Sequence, residues 1–151
     1  MNKTSMYLII AVVVIVIIVG GILAYVLTRP GGGGGVNTMN VYCAEYKFGT
    51  SAGSLSSPGP TLTFTAGQTY TITLHNVGTM LHNFAIVTTK TDGSTALAFS
   101  GAQIGSSSNP IAPGSTGSCT FTASTSGSYY YICQVDGHVS LGMWGPVTVN
   151  P

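Results

Sequence analysis

The stretch "SYYYICQVDGHVSLGMWGPVTVN", Ser128 to Asn150, decides how the chain reads. It begins as a strand. Side chains two residues apart share a face, so Tyr129, Tyr131 and Cys133 line one side and Tyr130 and Ile132 the other. It ends as another strand, Gly145–Asn150. The loop between carries Cys133, His138 and Met143, with four residues separating each from the next. Such a segment is either a hairpin whose loop happens to hold soft side chains, or three ligands of one metal.

Upstream the pattern repeats without a helical period. Val41–Phe48, Pro60–Ala66, Thr69–Val77, His82–Thr88 and Ser118–Ser124 read as strands, and with the two above make seven. Thr69–Val77 shows the alternation best: apolar Tyr70, Ile72 and Leu74 interleave with Thr71, Thr73 and His75. Short alternating strands bounded by Gly, Ser and Pro turns predict an all-β sandwich. Thr89–Gly117 is less regular and carries no strand assignment.

A metal held by one end of such a sandwich needs a ligand from a second loop at that end. The chain has three histidines. His75 falls on the polar face of its strand and reads as solvated. His82 falls in phase with Phe84 and Ile86, the inward set, and is the better candidate. His82, Cys133, His138 and Met143 supply two imidazoles, a thiolate and a thioether, a set that suits copper in a trigonal His₂Cys site with a weak axial methionine. Zinc is disfavoured because a thioether is not among its usual ligands. A catalytic Cys–His pair lacks an evident group to orient the histidine. Asp136 sits in a turn with Gly137 and reads as structural.

"HNF" followed by "YYYICQVDGHVSLGMWGPVTV" resembles the cupredoxins, the small blue copper electron carriers. The C-x4-H-x4-M spacing is similar to that of rusticyanin and sulfocyanin alike, and the apolar N-terminus together with "GHVSLGMWG" resembles archaeal sulfocyanin most. The resemblance covers about residues 41–150. It implies a Greek-key sandwich holding one copper ion (Cu⁺/Cu²⁺) through His82, Cys133, His138 and axial Met143. It implies that Asn83 ties the loop of the first ligand to the cysteine loop; rusticyanin carries serine there, so this chain departs from it. It gives Tyr129 the place of a strand-corner tyrosine whose hydroxyl caps backbone. His138 is expected to present its ring edge near the surface, with Met80, Leu81, Val139 and Leu141 as a docking patch. Cys43 and Cys119 remain. Outside the membrane such a pair often forms a disulfide, but their strand phases leave that open.

Composition limits the function classes. Of 151 residues only 5% are charged, against about 25% in an average domain. Beyond residue 30 the charged side chains are Glu45, Lys47, Lys90, Asp92 and Asp136. No basic patch exists to neutralise phosphates, so nucleic-acid binding has no electrostatic footprint. Met6–Leu27 runs 22 residues without a charge; at 1.5 Å per residue that reaches about 33 Å, enough to span a bilayer core. A cleavable signal peptide would have a shorter apolar core and an A-x-A-like site, and neither fits. The chain therefore divides into an N-terminal membrane anchor (1–29), a Gly-rich linker (30–40) and a cupredoxin domain (41–151).

The resulting expectation is a single-pass cell-membrane protein, N-terminus cytoplasmic and copper domain extracellular. It carries single electrons between membrane respiratory complexes, with no nucleic acid and no small-molecule substrate. The scarcity of carboxylates suggests an acidic exterior, since acid unfolds proteins largely by protonating paired carboxylates. Alternatives from other classes are a copper-binding subunit of a terminal oxidase or reductase, a copper-delivery protein, and a pilus-like surface module.

Overall fold

The computed structural model describes residues 36–151. The anchor expected over 6–27 and most of the expected linker lie outside them. Among the described residues no helix is long and apolar enough to cross a membrane.

Ten strands build two five-stranded sheets. They are β1 (Asn37–Ala44), β2 (Lys47–Gly49), β3 (Leu55–Ser56), β4 (Leu62–Thr65), β5 (Thr69–Asn76), β6 (Phe84–Val87), β7 (Gln103–Ile104), β8 (Thr116–Thr122), β9 (Gly127–Ile132) and β10 (Trp144–Asn150). One sheet runs β3-β2-β1-β5-β8 and the other β4-β10-β9-β6-β7. Most neighbours are antiparallel; β1 lies parallel to β5, and β4 to β10. The sheets face each other across one apolar core. Val41, Phe48, Ile72, Leu74 and Phe121 come from the first sheet, and Phe64, Phe84, Ile86, Tyr131 and Val147 from the second. Strand β5 shows the cause: its residues alternate half-buried and buried along the whole length, as a sheet with one face on the core and one towards solvent requires.

Strand β6 departs from that alternation, being buried at every position. Its outer face has its own cluster, Ala85, Val87, Ile132 and Val139, with Leu97, Tyr130 and Trp144 packed against it. Leu97 belongs to the irregular segment between β6 and β7, which folds back over the outside of the second sheet.

Two sequence expectations change and one open question is answered. Residues 37–40, placed in the linker, form the start of β1 and pair in register with Tyr70–Thr73 of β5. Val41–Phe48, read as one strand, is a hairpin: Ala44 pairs with Lys47, leaving Glu45 and Tyr46 as the turn. Tyr46 is the one non-glycine among the described residues at positive φ, 58°. "VYCAEYKF" contains no turn residue, so nothing local announced this; side chains elsewhere hold the strained residue. Finally, Cys43 and Cys119 are both free. Cys119 pairs with Ile72, whose other neighbour is Met39, four positions before Cys43 on β1. Two strands across and four residues along is roughly 16 Å, far beyond the ~7 Å Cα limit for a disulfide.

Two tyrosines fasten the second sheet. The Tyr129 hydroxyl donates to Thr125 O at 3.2 Å, the corner contact expected of it. The buried Tyr131 hydroxyl donates to Pro60 O at 2.6 Å, tying β9 to the segment that enters β4.

Candidate metal centre

Cys133 leaves the end of β9 on the core face, in phase with Tyr131, and is fully buried. The loop beyond it is closed by its own backbone. Cys133 N–H donates to Met143 O (3.1 Å), Met143 N–H to His138 O (2.9 Å) and His138 N–H to Val135 O (3.1 Å). Gly137 supplies the left-handed residue of the turn at φ 76°, and Asp136 beside it is exposed. The positions of Cys133, His138 and Met143 are thus fixed relative to one another before any metal arrives.

His82 comes from the other side. It lies just before β6, bridged to Ile111 by paired backbone bonds, and is fully buried. Asn76, at the end of β5, shapes the approach to it: its side-chain amide donates to Met80 O (2.8 Å) and Ile111 O (2.9 Å) and accepts from Gly78 N–H. Glu45 holds the same approach by accepting from Thr79 N–H and the Thr79 hydroxyl.

Here the geometry converges. His82 Nδ1 lies 3.9 Å and His138 Nδ1 3.3 Å from Cys133 Sγ. The ligand atoms of these three residues all fall within 4.8 Å of one another. A first-row ion bound at about 2.0 Å to nitrogen and 2.3 Å to sulfur, in a trigonal plane, would set each N···S separation at about 3.7 Å; the observed pair brackets it. Met143 is fully buried in the same core cluster as Cys133, its backbone bonded to that of Cys133. His82 Nε2 is buried without a hydrogen-bond partner, so no protein group competes to turn this ring away from the thiol. The donor set fits one copper ion.

Burial also dictates the protonation states. It pushes the Cys133 thiol up to about 11, opposed by a bond from Asn83. Burial, with His138 adding to it, pulls His82 down to about 4. His138 is lowered too, again mainly by burial. The imidazoles are therefore neutral and ready to donate lone pairs, whereas the thiol yields its proton only to a strong cation.

Asn83 bonds across to the cysteine loop. Its side-chain oxygen accepts from Gln134 N–H (2.6 Å), its amide donates to Gln134 Oε1 (2.7 Å), and its backbone N–H points at Cys133 Sγ (3.4 Å). Gln134, which the sequence did not single out, is the other half of this clasp. It is buried and takes a further bond from Gln103 Nε2 at 3.0 Å. Tyr46 was missed as well: its ring meets His138 edge-on at 5.2 Å, which accounts for a strained residue being kept there. His75 lies apart on the outer face of β5, bonded to Asn40 (2.8 Å) and stacked on Tyr42. Of the expected docking residues, Leu81 (50%) and Leu141 (57%) are exposed, while Met80 is half-buried. Val139 is a correction: it turns inward and completes the outer cluster on β6. Val77, just past the end of β5, is also exposed.

A two-sheet sandwich with a buried His–Cys–His–Met end defines a mononuclear copper protein of the cupredoxin type. The match to known proteins agrees. The chain belongs to the family described as copper binding proteins, plastocyanin/azurin family, which matches residues 44–150, and so to the blue copper electron-transfer proteins. It is 33% identical over 119 residues to auracyanin-A of Chloroflexus aurantiacus, covering 69% of this chain and 73% of that protein. The solved structure of auracyanin B superposes with a TM-score of 0.57 at 23% identity, over 76% of this chain and 89% of that one. A copper-containing nitrite reductase from Thermus scotoductus shares the fold (TM-score 0.54, 22% identity), but this chain covers only 28% of it.

Proposed function

We propose that the protein is a membrane-tethered type 1 copper carrier that moves single electrons between respiratory complexes on the outer face of the cell. The observation that carries this reading is the convergence of His82 Nδ1, His138 Nδ1 and Cys133 Sγ at one buried point. Bound copper supplies a reversible one-electron couple; the chain supplies everything else. The thiolate and thioether suit the reduced ion and the imidazoles also hold the oxidised one. The backbone-closed loop and the Asn83–Gln134 clasp resist rearrangement when charge changes. His138 keeps 4% of its surface exposed whereas His82 keeps none, so His138 is the electron port. The exposed Leu81 and Leu141, next to His82 and close to His138 in the chain, suit brief apolar encounters, where speed matters more than affinity.

The membrane attachment rests on the uncharged run 6–27, and the glycines after it act as a leash that keeps the carrier near its partners while letting it turn. The finer likeness to rusticyanin rests on the ligand spacing, and that to sulfocyanin also on the apolar N-terminus and "GHVSLGMWG". An acidic exterior fits the two carboxylates that hold loops. Hydrogen bonds from Thr79 keep Glu45 charged down to about 2, and those from Ser140 and Val139 lower Asp92. A role in copper delivery would call for open, exchangeable ligands, and this site is buried. A subunit role inside an oxidase or reductase complex is the second reading, favoured only by the same exposed leucines.

The test is Cu(II) loading of the protein. An intense thiolate-to-copper absorption that disappears in Cys133→Ser supports the carrier. Wild-type protein that binds copper without that absorption refutes it.

A further inference from the structure

Between β6 and β7 the chain makes a tight turn that the metal centre did not call upon. Ser94 N–H donates to Thr91 O at 3.1 Å, and Gly93 takes the left-handed conformation at φ 67°. Alternate residues of this turn reach the ligand loop. Ser94 O accepts from Gln134 Nε2 at 2.7 Å. Asp92 Oδ1 accepts from Val139 N–H (2.8 Å) and Ser140 N–H (3.2 Å), and its other oxygen takes the Ser140 hydroxyl. Lys90 Nζ sits 3.5 Å from the ring centroid of Trp144 and 5.9 Å from that of Tyr130. Gln134, Val139 and Trp144 are the residues immediately following Cys133, His138 and Met143.

We propose that Lys90–Ser94 is a strap that positions the metal-holding loop, gripping the residue next after each of its three ligands. The three grips differ in kind: a carbonyl for an amide, a carboxylate for two backbone N–H groups, and a cation for an indole face. The Asp92 grip falls on Val139 N–H, one peptide bond from His138, while the other two hold the Gln134 side-chain amide and the Trp144 ring, so none occupies a coordinating atom. Lys90 and Asp92 are two of the five charged side chains beyond residue 30. In a domain whose polarity is otherwise Ser, Thr and Asn, both fall in the one turn that touches the ligand loop. Because the loop's own hydrogen bonds fix its internal shape, the strap sets how that shape is seated against His82 and β6. The proposal rests on the copper reading for its consequence, though not for its geometry.

The test compares Asp92→Ala, Lys90→Met and the charge control Lys47→Ala in the full chain. Lys47 is exposed on β2 and takes no part in the strap. Partners bonded directly to ligand residues typically govern metal affinity by 10–100-fold, and the strap acts one residue further out, so the lower end of that range applies. Asp92→Ala and Lys90→Met should therefore release copper to a chelator about tenfold faster, with an altered absorption pattern, and Lys47→Ala should match wild type. In the copper-free protein, Asp92→Ala should speed amide exchange at Val139 and Ser140. Release within twofold of wild type for both strap variants would overturn the proposal. So would unchanged exchange at those two amides, an arm that decides the matter even if the wild-type chain takes up no copper.

Discussion

Asn83→Ala is the perturbation whose cost the structure defines best. Asn83 and Gln134 are buried at 0% and 3% exposure, so neither finds water when its partner is removed. The substitution strands the Gln134 N–H, whose acceptor at 2.6 Å is the Asn83 oxygen. A buried donor left without a partner costs about 1–3 kcal/mol. It also removes the Asn83 amide bond to Gln134 Oε1, a further loss of about 1 kcal/mol, since that oxygen keeps its bond from Gln103. The sum is about 2–4 kcal/mol, or a thermal midpoint lower by about 8–16 °C for a domain of this size. The copper-free protein should be used, so that metal loss does not enter. Gln134→Ala removes the same side-chain pair from the other end but leaves the backbone bond. The two variants should therefore be non-additive by about 1 kcal/mol in a double-mutant cycle. A midpoint within about 2 °C of wild type, or strict additivity, would refute the clasp.

The other predictions concern different parts of the molecule. Glu45→Gln tests acid behaviour. The carboxyl is held at about 2 against an ordinary 4.5, so its contribution is present above pH 4.5 and is lost as pH falls through about 2. The copper-free variant should be less stable than wild type at neutral pH, and the difference should vanish near pH 2 in thermal scans. Gly145→Ala places a Cβ on the Tyr131 ring; overpacking at a fully buried aromatic should cost about 1–3 kcal/mol in denaturant unfolding. Leu141→Lys should leave the copper absorption unchanged. It should slow electron self-exchange, measured by NMR line broadening, about tenfold, because two like charges then meet at the port.

What the sequence disclosed and what it hid follow from the range of the signals. Period-two alternation is local, so β5, β8, β9 and β10 were legible, and strand phase favoured His82, which the fold brings beside Cys133, over His75. The ligand loop was legible because four-residue spacings lie within one short segment. The Glu45–Tyr46 turn was not, because its reason lies in Thr79 and His138, far along the chain. Gln134 looks like any loop amide until Asn83 is folded against it. Val139 sits between a ligand and exposed Leu141, and only the outer cover of β6 shows why it turns inward. Cys43 and Cys119 needed sheet register, which phase alone does not supply.

Potentiometric titration of the copper-loaded chain, followed by its absorption, tests the central claim most directly. A carrier built on this site predicts one electron per protein, with the colour bleaching and returning in a single reversible step. An absorption that does not respond to reduction, or that requires more than one electron per chain, would contradict it.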